Sequence, residues 1–329
     1  MKKKLVHVIE PVGPFEWYKP LEDLAEIQFI YPDKSFSNVQ LRKILEKSSA
    51  ILITSSCGVS SEDMNYAKKL EIIAKCGGKP SNVDIDSATK HGIAVSYVPG
   101  ANNTTVAEFC IMLIMSSMRN FISQAGAIHN NRWRTGDTLL GSELREKTVG
   151  IIGYGAVGRE VARKLEGFDS NILIYDPYVK IKKDEFGSME SVENLETLLK
   201  ESDIISVNCS LTKETRGFIS DRQFELMKPK AILINTARGP IVDESALVRT
   251  LENEKIAGAA IDVFTKEPIN SEHILASFKN VILTPHVAAW TEEALFREIN
   301  GAVQSTMAVF QKNYQVPGLL NADYRKHII

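Results

Sequence analysis

The sequence predicts an α/β protein of two doubly wound domains, each with a parallel β-sheet between layers of helices. Two observations support this fold class. Short apolar segments rich in β-branched residues occur in two successive series, and longer amphipathic segments separate them. Alternating strand and helix patterns of this kind form βαβ units, whose strands pair in parallel. The chain has 329 residues, enough for about two domains of average size.

The strands follow one another in a regular order. The first series contains five predicted strands, at Leu5–Ile9, Gln28–Tyr31, Ala50–Thr54, Ile72–Lys75 and Ile93–Val98. The second contains six, at Val149–Ile152, Ile172–Tyr175, Ile204–Asn208, Ala231–Asn235, Ala259–Val263 and Val281–Thr284. Six parallel strands make one complete Rossmann-like domain. Two long helical patterns, 105–118 and 291–311, flank the second series, and each could link the domains.

The composition excludes two classes of partner. The 39 basic and 41 acidic residues give a formal net charge of -2, whereas a nucleic-acid-binding protein needs a basic excess or stripe. The longest apolar run, Phe109–Met115, has seven residues, and a membrane span needs about 20. We therefore expect neither a nucleic-acid nor a membrane partner.

The start of the chain and its cysteines predict the compartment. The first apolar stretch ends at Glu10 and is too short for the core of a signal peptide. The four cysteines lie at wide spacings without a Cys-x-x-Cys pair, so neither a metal site nor a disulfide framework is expected. Both observations favour the cytoplasm.

A glycine-rich loop follows the first strand of the second series. Gly153, Gly155 and Gly158 form a Gly-x-Gly-x-x-Gly pattern, and Ala156 and Val157 begin the helix that follows. The first glycine allows a tight turn, the second lets the backbone approach a pyrophosphate, and the third allows close packing of helix on strand. The helix N-terminus adds N–H donors and a positive dipole. This context predicts a dinucleotide-binding site.

Asp176 determines which dinucleotide is expected. It ends the next predicted strand, 18 residues after Gly158. A carboxylate at this position accepts hydrogen bonds from the adenosine ribose and repels a 2′-phosphate. The sequence therefore predicts NAD rather than NADP.

Three candidate catalytic residues follow the last three strands of the second series. Arg238 lies just beyond the fourth strand, Glu267 beyond the fifth and His286 beyond the sixth, which Pro285 ends. Open parallel sheets bind their ligands at the carboxyl ends of the strands. In the usual strand order the fourth strand neighbours the first, so Arg238 is expected beside the cofactor.

This combination of residue types fits hydride transfer to a 2-keto acid. A histidine can exchange a proton near neutral pH, and a neighbouring carboxylate would orient its ring. The planar guanidinium of Arg238 can hold a substrate carboxylate through two parallel hydrogen bonds. A nicotinamide cofactor supplies the hydride.

Several ordered motifs together resemble one known family, and they extend over nearly the whole chain. Besides the glycine loop, they include Asn235–Gly239, Asp262–Phe264 with Glu267-Pro268, Thr284–Ala288, Asn82–Asp84, Pro99-Gly100 with Asn102, and Val106–Glu108. The chain resembles the D-isomer-specific 2-hydroxyacid dehydrogenases, the family of phosphoglycerate dehydrogenase and glyoxylate-hydroxypyruvate reductase.

The resemblance implies roles for particular residues. Arg238, Glu267 and His286 correspond to the catalytic set, and Asp262 to the residue that contacts the nicotinamide carboxamide. The NAD site would be lined by Ala156, Val157, Asp176, Cys209, Thr236 and His286. It also implies a homodimer, a discontinuous, flavodoxin-like substrate domain of residues 1–102 and 290–329, and an inserted NAD-binding Rossmann domain of residues 103–289.

One loop departs from the pattern of the family. Where the family usually has Gly-x-Gly-x-Asp, this chain has Gly77-Gly78-Lys79-Pro80-Ser81. The corresponding loop holds the substrate carboxylate through its backbone amides, so Gly78 and Lys79 are expected to bind substrate. Lys79 either meets a second anionic group of the substrate or is an ordinary solvated turn residue, and the sequence leaves both open.

The expected activity is therefore NAD-dependent interconversion of a D-2-hydroxy acid and its 2-keto acid, with His286 as general acid and base. An NAD-gated oligomeric binding protein of the co-repressor type is an alternative, because such proteins share the resemblance. A phosphite- or formate-type dehydrogenase of the same family is a further alternative that the resemblance implies. The sequence does not select the acid, which is expected to be small and anionic.

Overall fold

The computed structural model describes residues 3–33, 35–54, 56–134, 140–179, 181, 189–313 and 315–327. The chain divides into two compact units. Unit 1 comprises Met1–Asn102 and Trp290–Ile329, and unit 2 comprises Asn103–Ala289. Each unit contains one sheet, and all the strand pairs described in both sheets are parallel. The predicted α/β class with two parallel sheets is confirmed.

The sheet of unit 1 has five strands: β1 (Lys4–Ile9), β2 (Ala25–Ile30), β3 (Ala50–Ile53), β4 (Ile72–Lys75) and β5 (Ala94–Ser96). Their spatial order, β2-β1-β3-β4-β5, is that of flavodoxin-like sheets. The helices of this unit are α1 (Asn38–Leu45), α2 (Ser61–Met64), α3 (Ile85–Lys90) and, after unit 2, α10 (Glu292–Phe310).

Both faces of this sheet are covered, which explains its nearly continuous apolar strands. Successive side chains of a strand point to opposite faces. Leu52 and Ile72 belong to a buried cluster with Val303 of α10. On the other face, Ile51 and Ile73 pack in a cluster with residues of α1 and α3. Helix α10 therefore belongs to the core of unit 1.

The segment after α10 completes unit 1. Asn321 is buried, and its Oδ1 accepts a hydrogen bond of 2.7 Å from the N–H of Val95. Its Nδ2 donates to the carbonyl of Ile93 and to Oγ1 of Thr89, both at 2.9 Å. These bonds satisfy backbone groups beside β5, so residues from both ends of the chain contribute to one unit.

The sheet of unit 2 has seven strands: β6 (Thr148–Ile152), β7 (Asn171–Tyr175), β8 (Met189–Ser191), β9 (Ile204–Val207), β10 (Ile232–Asn235), β11 (Gly258–Ile261) and β12 (Val281–Leu283). Their order is β12-β11-β10-β9-β6-β7-β8. The helices are α4 (Asn103–Met118), α5 (Phe121–His129), α6 (Ala156–Leu165), α7 (Leu195–Glu201), α8 (Asp221–Leu226) and α9 (Glu244–Glu252).

The strand order corrects one prediction. The strand after which Arg238 lies, β10, pairs with β9 and β11, and it is β9 that pairs with β6 and its glycine loop. The expectation that the strand of Arg238 neighbours the first strand was wrong. Its cause is β8, a three-residue edge strand that was missed because Met189–Ser191 lacks an apolar run. With β8 counted, the fourth strand is β9 and the usual order holds.

Helix α4 is the apolar helical pattern predicted before the second series. Its buried residues, including Ala107, Cys110 and Ile114, pack in one cluster with Val161 of α6. No single helix among the described residues is long and apolar enough to cross a membrane. Helices α4 and α5 reach the required length and hydropathy only when they are taken together, and the chain bends by 65° between them.

Candidate functional site

The glycine loop connects β6 to α6 in unit 2. Gly153 has φ +92°, and a Cβ on it would lie 2.6 Å from the backbone of Cys209. A Cβ on Gly158 would lie 2.1 Å from the carbonyl oxygen of Gly153, so the helix packs directly on the turn. Gly155 is the N-cap of α6, and a Cβ there would meet no atom within 4 Å. Open space above a helix N-terminus is what a pyrophosphate needs.

Asp176 follows β7 and its carboxylate is fixed beside this loop. Its Oδ2 accepts a hydrogen bond of 2.8 Å from the backbone N–H of Tyr154, and its Oδ1 accepts one of 2.9 Å from the backbone N–H of Tyr178. The carboxylate is half-buried. Helix-terminal donors and a fixed acidic acceptor at the end of the next strand fit a dinucleotide with a free ribose 2′-hydroxyl.

The other predicted cofactor residues lie at the same edge of the sheet. Ala156 and Val157 form the first turn of α6, where backbone N–H groups have no partner within the helix. Cys209 packs against Gly153, and burial raises the pKa of its thiol to about 11, so the thiol is neutral at physiological pH. Thr236 is buried just beyond β10.

His286 and Glu267 form a hydrogen-bonded pair. Nδ1 of His286 lies 2.7 Å from Oε2 of Glu267, and Oε1 of Glu267 accepts a hydrogen bond of 2.9 Å from the N–H of Phe264. Because the carboxylate only accepts, Nδ1 carries a proton, and Nε2 is the ring nitrogen that can exchange a proton with a ligand. The two side chains are 45% and 35% exposed and so remain accessible to a small molecule.

Asp262 holds the loop that carries His286. Its side chain is fully buried, and Oδ1 accepts hydrogen bonds from Oγ1 of Thr284 at 2.6 Å and from the N–H of Val287 at 2.9 Å. Oδ2 accepts another, of 2.9 Å, from the N–H of Ala288. His286 itself has φ +54° and donates its N–H to the carbonyl of Asp262. The carboxylate therefore fixes an otherwise unfavourable backbone conformation.

This anchoring role was not found from the sequence. The resemblance implied only that Asp262 contacts the nicotinamide carboxamide, and that contact stays a prediction. The available signal was an acidic residue flanked on both sides by apolar residues at the end of a predicted strand. A carboxylate buried at such a position needs several hydrogen-bond donors. The sequence could not show that these donors come from Thr284, Val287 and Ala288.

Arg238 lies on the turn after β10, and its side chain is exposed. The turn is held by Asn235, whose Nδ2 donates to the carbonyl of Arg238 and whose Oδ1 accepts the N–H of Ala237, both at 3.1 Å. A Cβ on Gly239 would lie 2.0 Å from the carbonyl carbon of Phe264, so this turn packs against the loop of Glu267. Arg238, Glu267 and His286 thus follow three adjacent strands at one sheet edge.

The two predicted substrate residues of the first series belong to unit 1. Gly78 and Lys79 follow β4 at the carboxyl edge of that sheet, and both are exposed. A Cβ on Gly78 would meet no atom within 4 Å, whereas the preceding Gly77 has φ +105°. The loop therefore offers backbone amides and one cationic side chain to solvent.

The chemistry available in unit 2 is proton exchange and anion binding beside a dinucleotide loop. The pair of His286 and Glu267 can give or take a proton, and Arg238 can bind a carboxylate. Within the described residues, no group of three or more His, Cys, Asp or Glu side chains could hold a metal ion.

Comparison with known proteins gives a consistent result. The family model described as "D-isomer specific 2-hydroxyacid dehydrogenase, NAD binding domain" matches residues 111–288. The chain is 36% identical over 318 residues to a glyoxylate reductase of Thermococcus litoralis, covering 94% of this chain and 95% of that protein. It is 40% identical over 258 residues to a D-3-phosphoglycerate dehydrogenase of Archaeoglobus fulgidus, covering 78% of this chain and 49% of that protein.

The solved structures agree with these matches. A D-lactate dehydrogenase from Aquifex aeolicus, complexed with NAD and lactic acid, is 27% identical with a TM-score of 0.83, and the match covers 96% of this chain and 98% of that one. The chain spans about half the length of the phosphoglycerate dehydrogenases it matches, 49% and 52% in two of them. It spans most of the glyoxylate reductases, for example 85% and 95%.

The carboxylate of Asp176 gives a prediction for cofactor choice. In Asp176→Arg, the acceptor for the ribose hydroxyl is replaced by a guanidinium that can bind a 2′-phosphate, so the ratio of NAD to NADP affinity falls by about 100-fold. Titration of protein fluorescence with each reduced cofactor measures this ratio. The exposed Glu193→Arg is the matched control, and an unchanged ratio in Asp176→Arg contradicts the assignment.

Proposed function

The chain belongs to the D-isomer specific 2-hydroxyacid dehydrogenase family, and we propose that it interconverts a small 2-keto acid and its D-2-hydroxy acid with NAD. The observation that supports this most strongly is the 2.7 Å hydrogen bond between His286 and Glu267, at the same sheet edge as the glycine loop. It provides an oriented proton donor at the edge of the sheet that carries the dinucleotide loop.

In this proposal the residues of unit 2 hold the cofactor and move the proton. NAD, when bound by the loop from Gly153 to Gly158 and by Asp176, supplies the hydride chemistry. His286 gives a proton from Nε2 to the developing alkoxide during reduction and takes one from the hydroxyl during oxidation. Glu267 keeps the ring oriented through Nδ1 and stabilises the imidazolium. Arg238 holds the substrate carboxylate and polarises the keto oxygen.

We assign unit 1 the role of the substrate domain. The exposed backbone at Gly78 can donate hydrogen bonds to the substrate carboxylate, and Lys79 adds a positive charge next to it. Among the described residues, the Lys79 ammonium has no hydrogen bond or ion pair with the protein. This supports a role toward a second anionic group of the substrate, a phosphate or a distal carboxylate.

We also propose that the protein is a homodimer and works in the cytoplasm. The support for a dimer is an apolar surface on α5, where Phe121, Ile122 and Ile128 are 55%, 62% and 59% exposed. Exposed apolar side chains grouped on one helix are typical of an interface.

All four cysteines are free thiols, which supports a reducing compartment.

The activity is tested by NADH oxidation with glyoxylate, hydroxypyruvate, phosphohydroxypyruvate and pyruvate. We expect turnover of at least one of these acids, and absence of turnover with all of them contradicts the proposed function.

In His286→Gln, kcat falls by about 10³-fold because the proton donor is lost, while the NADH dissociation constant stays within about twofold. The exposed His327→Gln serves as the control. A His286→Gln protein that kept its biological activity would favour the co-repressor type of function.

The charge of Lys79 gives a second prediction. Lys79→Ala raises KM about tenfold for dianionic acids such as phosphohydroxypyruvate, which corresponds to about 1.4 kcal/mol of binding free energy. KM for pyruvate and glyoxylate changes little, because these acids have no second anionic group. Steady-state kinetics with both kinds of acid measure the difference, with the exposed Lys69→Ala as control. Equal effects on both kinds of acid contradict a role of Lys79 toward a second anionic group.

The dimer is tested by sedimentation velocity. The expected species has twice the chain mass of 36.6 kDa. Ile122→Asp places a charge on the apolar surface of α5 and is expected to shift the protein toward monomer. Val39→Asp, at an exposed apolar position in α1, should leave the mass unchanged. A monomeric wild-type protein excludes the dimer.

A further inference from the structure

Unit 1 contains a buried carboxylate that the proposed chemistry does not use. Glu298 lies on α10 and is only 8% exposed. Its Oε1 accepts a hydrogen bond of 2.9 Å from Nδ2 of Asn102, the last residue of the first segment of unit 1. The neighbouring Arg297 donates from Nε to the carbonyl of Ala101 at 2.7 Å. Helix α10 is therefore tied to residues 101 and 102 by two adjacent side chains, one bonded to a backbone carbonyl and the other to the side chain of Asn102.

The charge of Glu298 has a nearby counterpart. Burial raises the pKa of Glu298, whereas the hydrogen bond from Asn102 and the cations of Lys75 and Arg297 act in the opposite direction. Lys75 is itself only 4% exposed, and its Nζ donates to the carbonyl of Cys76 at 2.9 Å. Buried charges are costly unless they are paired. The end of β4 thus carries a buried ammonium whose positive charge stabilises the carboxylate of Glu298.

The same carboxylate touches the loop that follows β4. A Cβ on Gly77 would lie 3.3 Å from each carboxylate oxygen of Glu298, so Glu298 lies directly against this glycine. Gly77 has φ +105°, a conformation that side-chain-bearing residues rarely adopt. Its carbonyl accepts the N–H of Val98 at 3.1 Å. Gly78 and Lys79, the residues assigned to the substrate, come immediately afterwards.

We propose that Glu298 is a positioning residue, which fixes the Gly77–Lys79 loop so that its amides bind the substrate carboxylate. Glu298 fixes this loop through its contact with Gly77 and through the attraction between its carboxylate and the buried cation of Lys75. The inference rests on the proposed function, because it assumes that the loop binds the keto acid. Donors that are fixed before the substrate arrives lose less entropy on binding, so the effect of Glu298 falls on substrate affinity.

This role predicts a separation of kinetic parameters. Glu298→Gln keeps an oxygen acceptor for Asn102 but removes the negative charge that the cation of Lys75 stabilises. In the full chain, KM for the 2-keto acid is expected to rise about tenfold, while kcat and KM for NADH stay within about twofold. Hydride transfer and proton transfer are assigned to residues of unit 2, whereas Glu298 belongs to unit 1. Glu293→Gln, at an exposed position of the same helix, is the matched control.

A purely structural role would give a different result. If Glu298 only stabilises the unit, Glu298→Gln lowers the melting temperature and leaves the keto-acid KM of the folded protein unchanged, which overturns the proposal. A parallel change in kcat and in both KM values overturns it as well. If Glu298→Gln does not fold, Asn102→Ala is the second test, because it removes the side chain that donates a hydrogen bond to Glu298. Its keto-acid KM is expected to rise about threefold, and an unchanged value overturns the proposal.

The two hypotheses can fail independently. Absence of 2-keto acid reduction by the wild-type protein contradicts the proposed function before Glu298 is considered. A wild-type enzyme that reduces the acid, with a Glu298→Gln variant of unchanged keto-acid KM, contradicts only the positioning role.

Discussion

The arrangement of the candidate site depends on the buried carboxylate of Asp262. Its two oxygens accept three hydrogen bonds from the segment 284–288, at 2.6 to 2.9 Å. This segment carries His286 with a positive φ, which a β-carbon-bearing residue adopts only when its surroundings impose it. A fully buried carboxylate in turn requires these donors, because an unpaired charge in the interior is costly. The position of the imidazole and the burial of Asp262 therefore support each other.

Close backbone contacts at glycines also fix the other loops at this edge of the sheet. Because Gly239 has no Cβ, the turn that carries Arg238 packs directly against the backbone of Phe264. The N–H of Phe264 in turn donates a hydrogen bond to the carboxylate of Glu267. Gly153 lets the glycine loop press on Cys209 after β9. At each of these glycines the neighbouring backbone occupies the space that a Cβ would need. The loops therefore pack backbone against backbone, with no flexible side chain between them. Groups that must bind a cofactor and exchange a proton are thereby preorganised.

The predictions succeeded where a local pattern decides the outcome. The strands with apolar runs, the βαβ alternation and the Gly-x-Gly-x-x-Gly turn all depend on residues close in sequence, and the structure contains them. Strand β8 was missed because three residues at a sheet edge need no apolar run, and the expected neighbour of the Arg238 strand was wrong for that reason. The layout with both ends in one domain came from the family resemblance, since periodicity does not report which strands share a sheet.

By itself, the sequence determined the fold class, a dinucleotide loop and the residue types available for acid–base chemistry, because these depend on periodicity and local spacing. Tertiary structure decided which side chains meet. The bond between His286 and Glu267 joins residues 19 positions apart, and that between Asn102 and Glu298 joins residues 196 apart. Asp262, which follows β11, bonds to residues that follow the next strand, β12. Such contacts follow from strand order and helix packing, which distribute distant residues over a shared edge. No local pattern encodes the distances at which they meet.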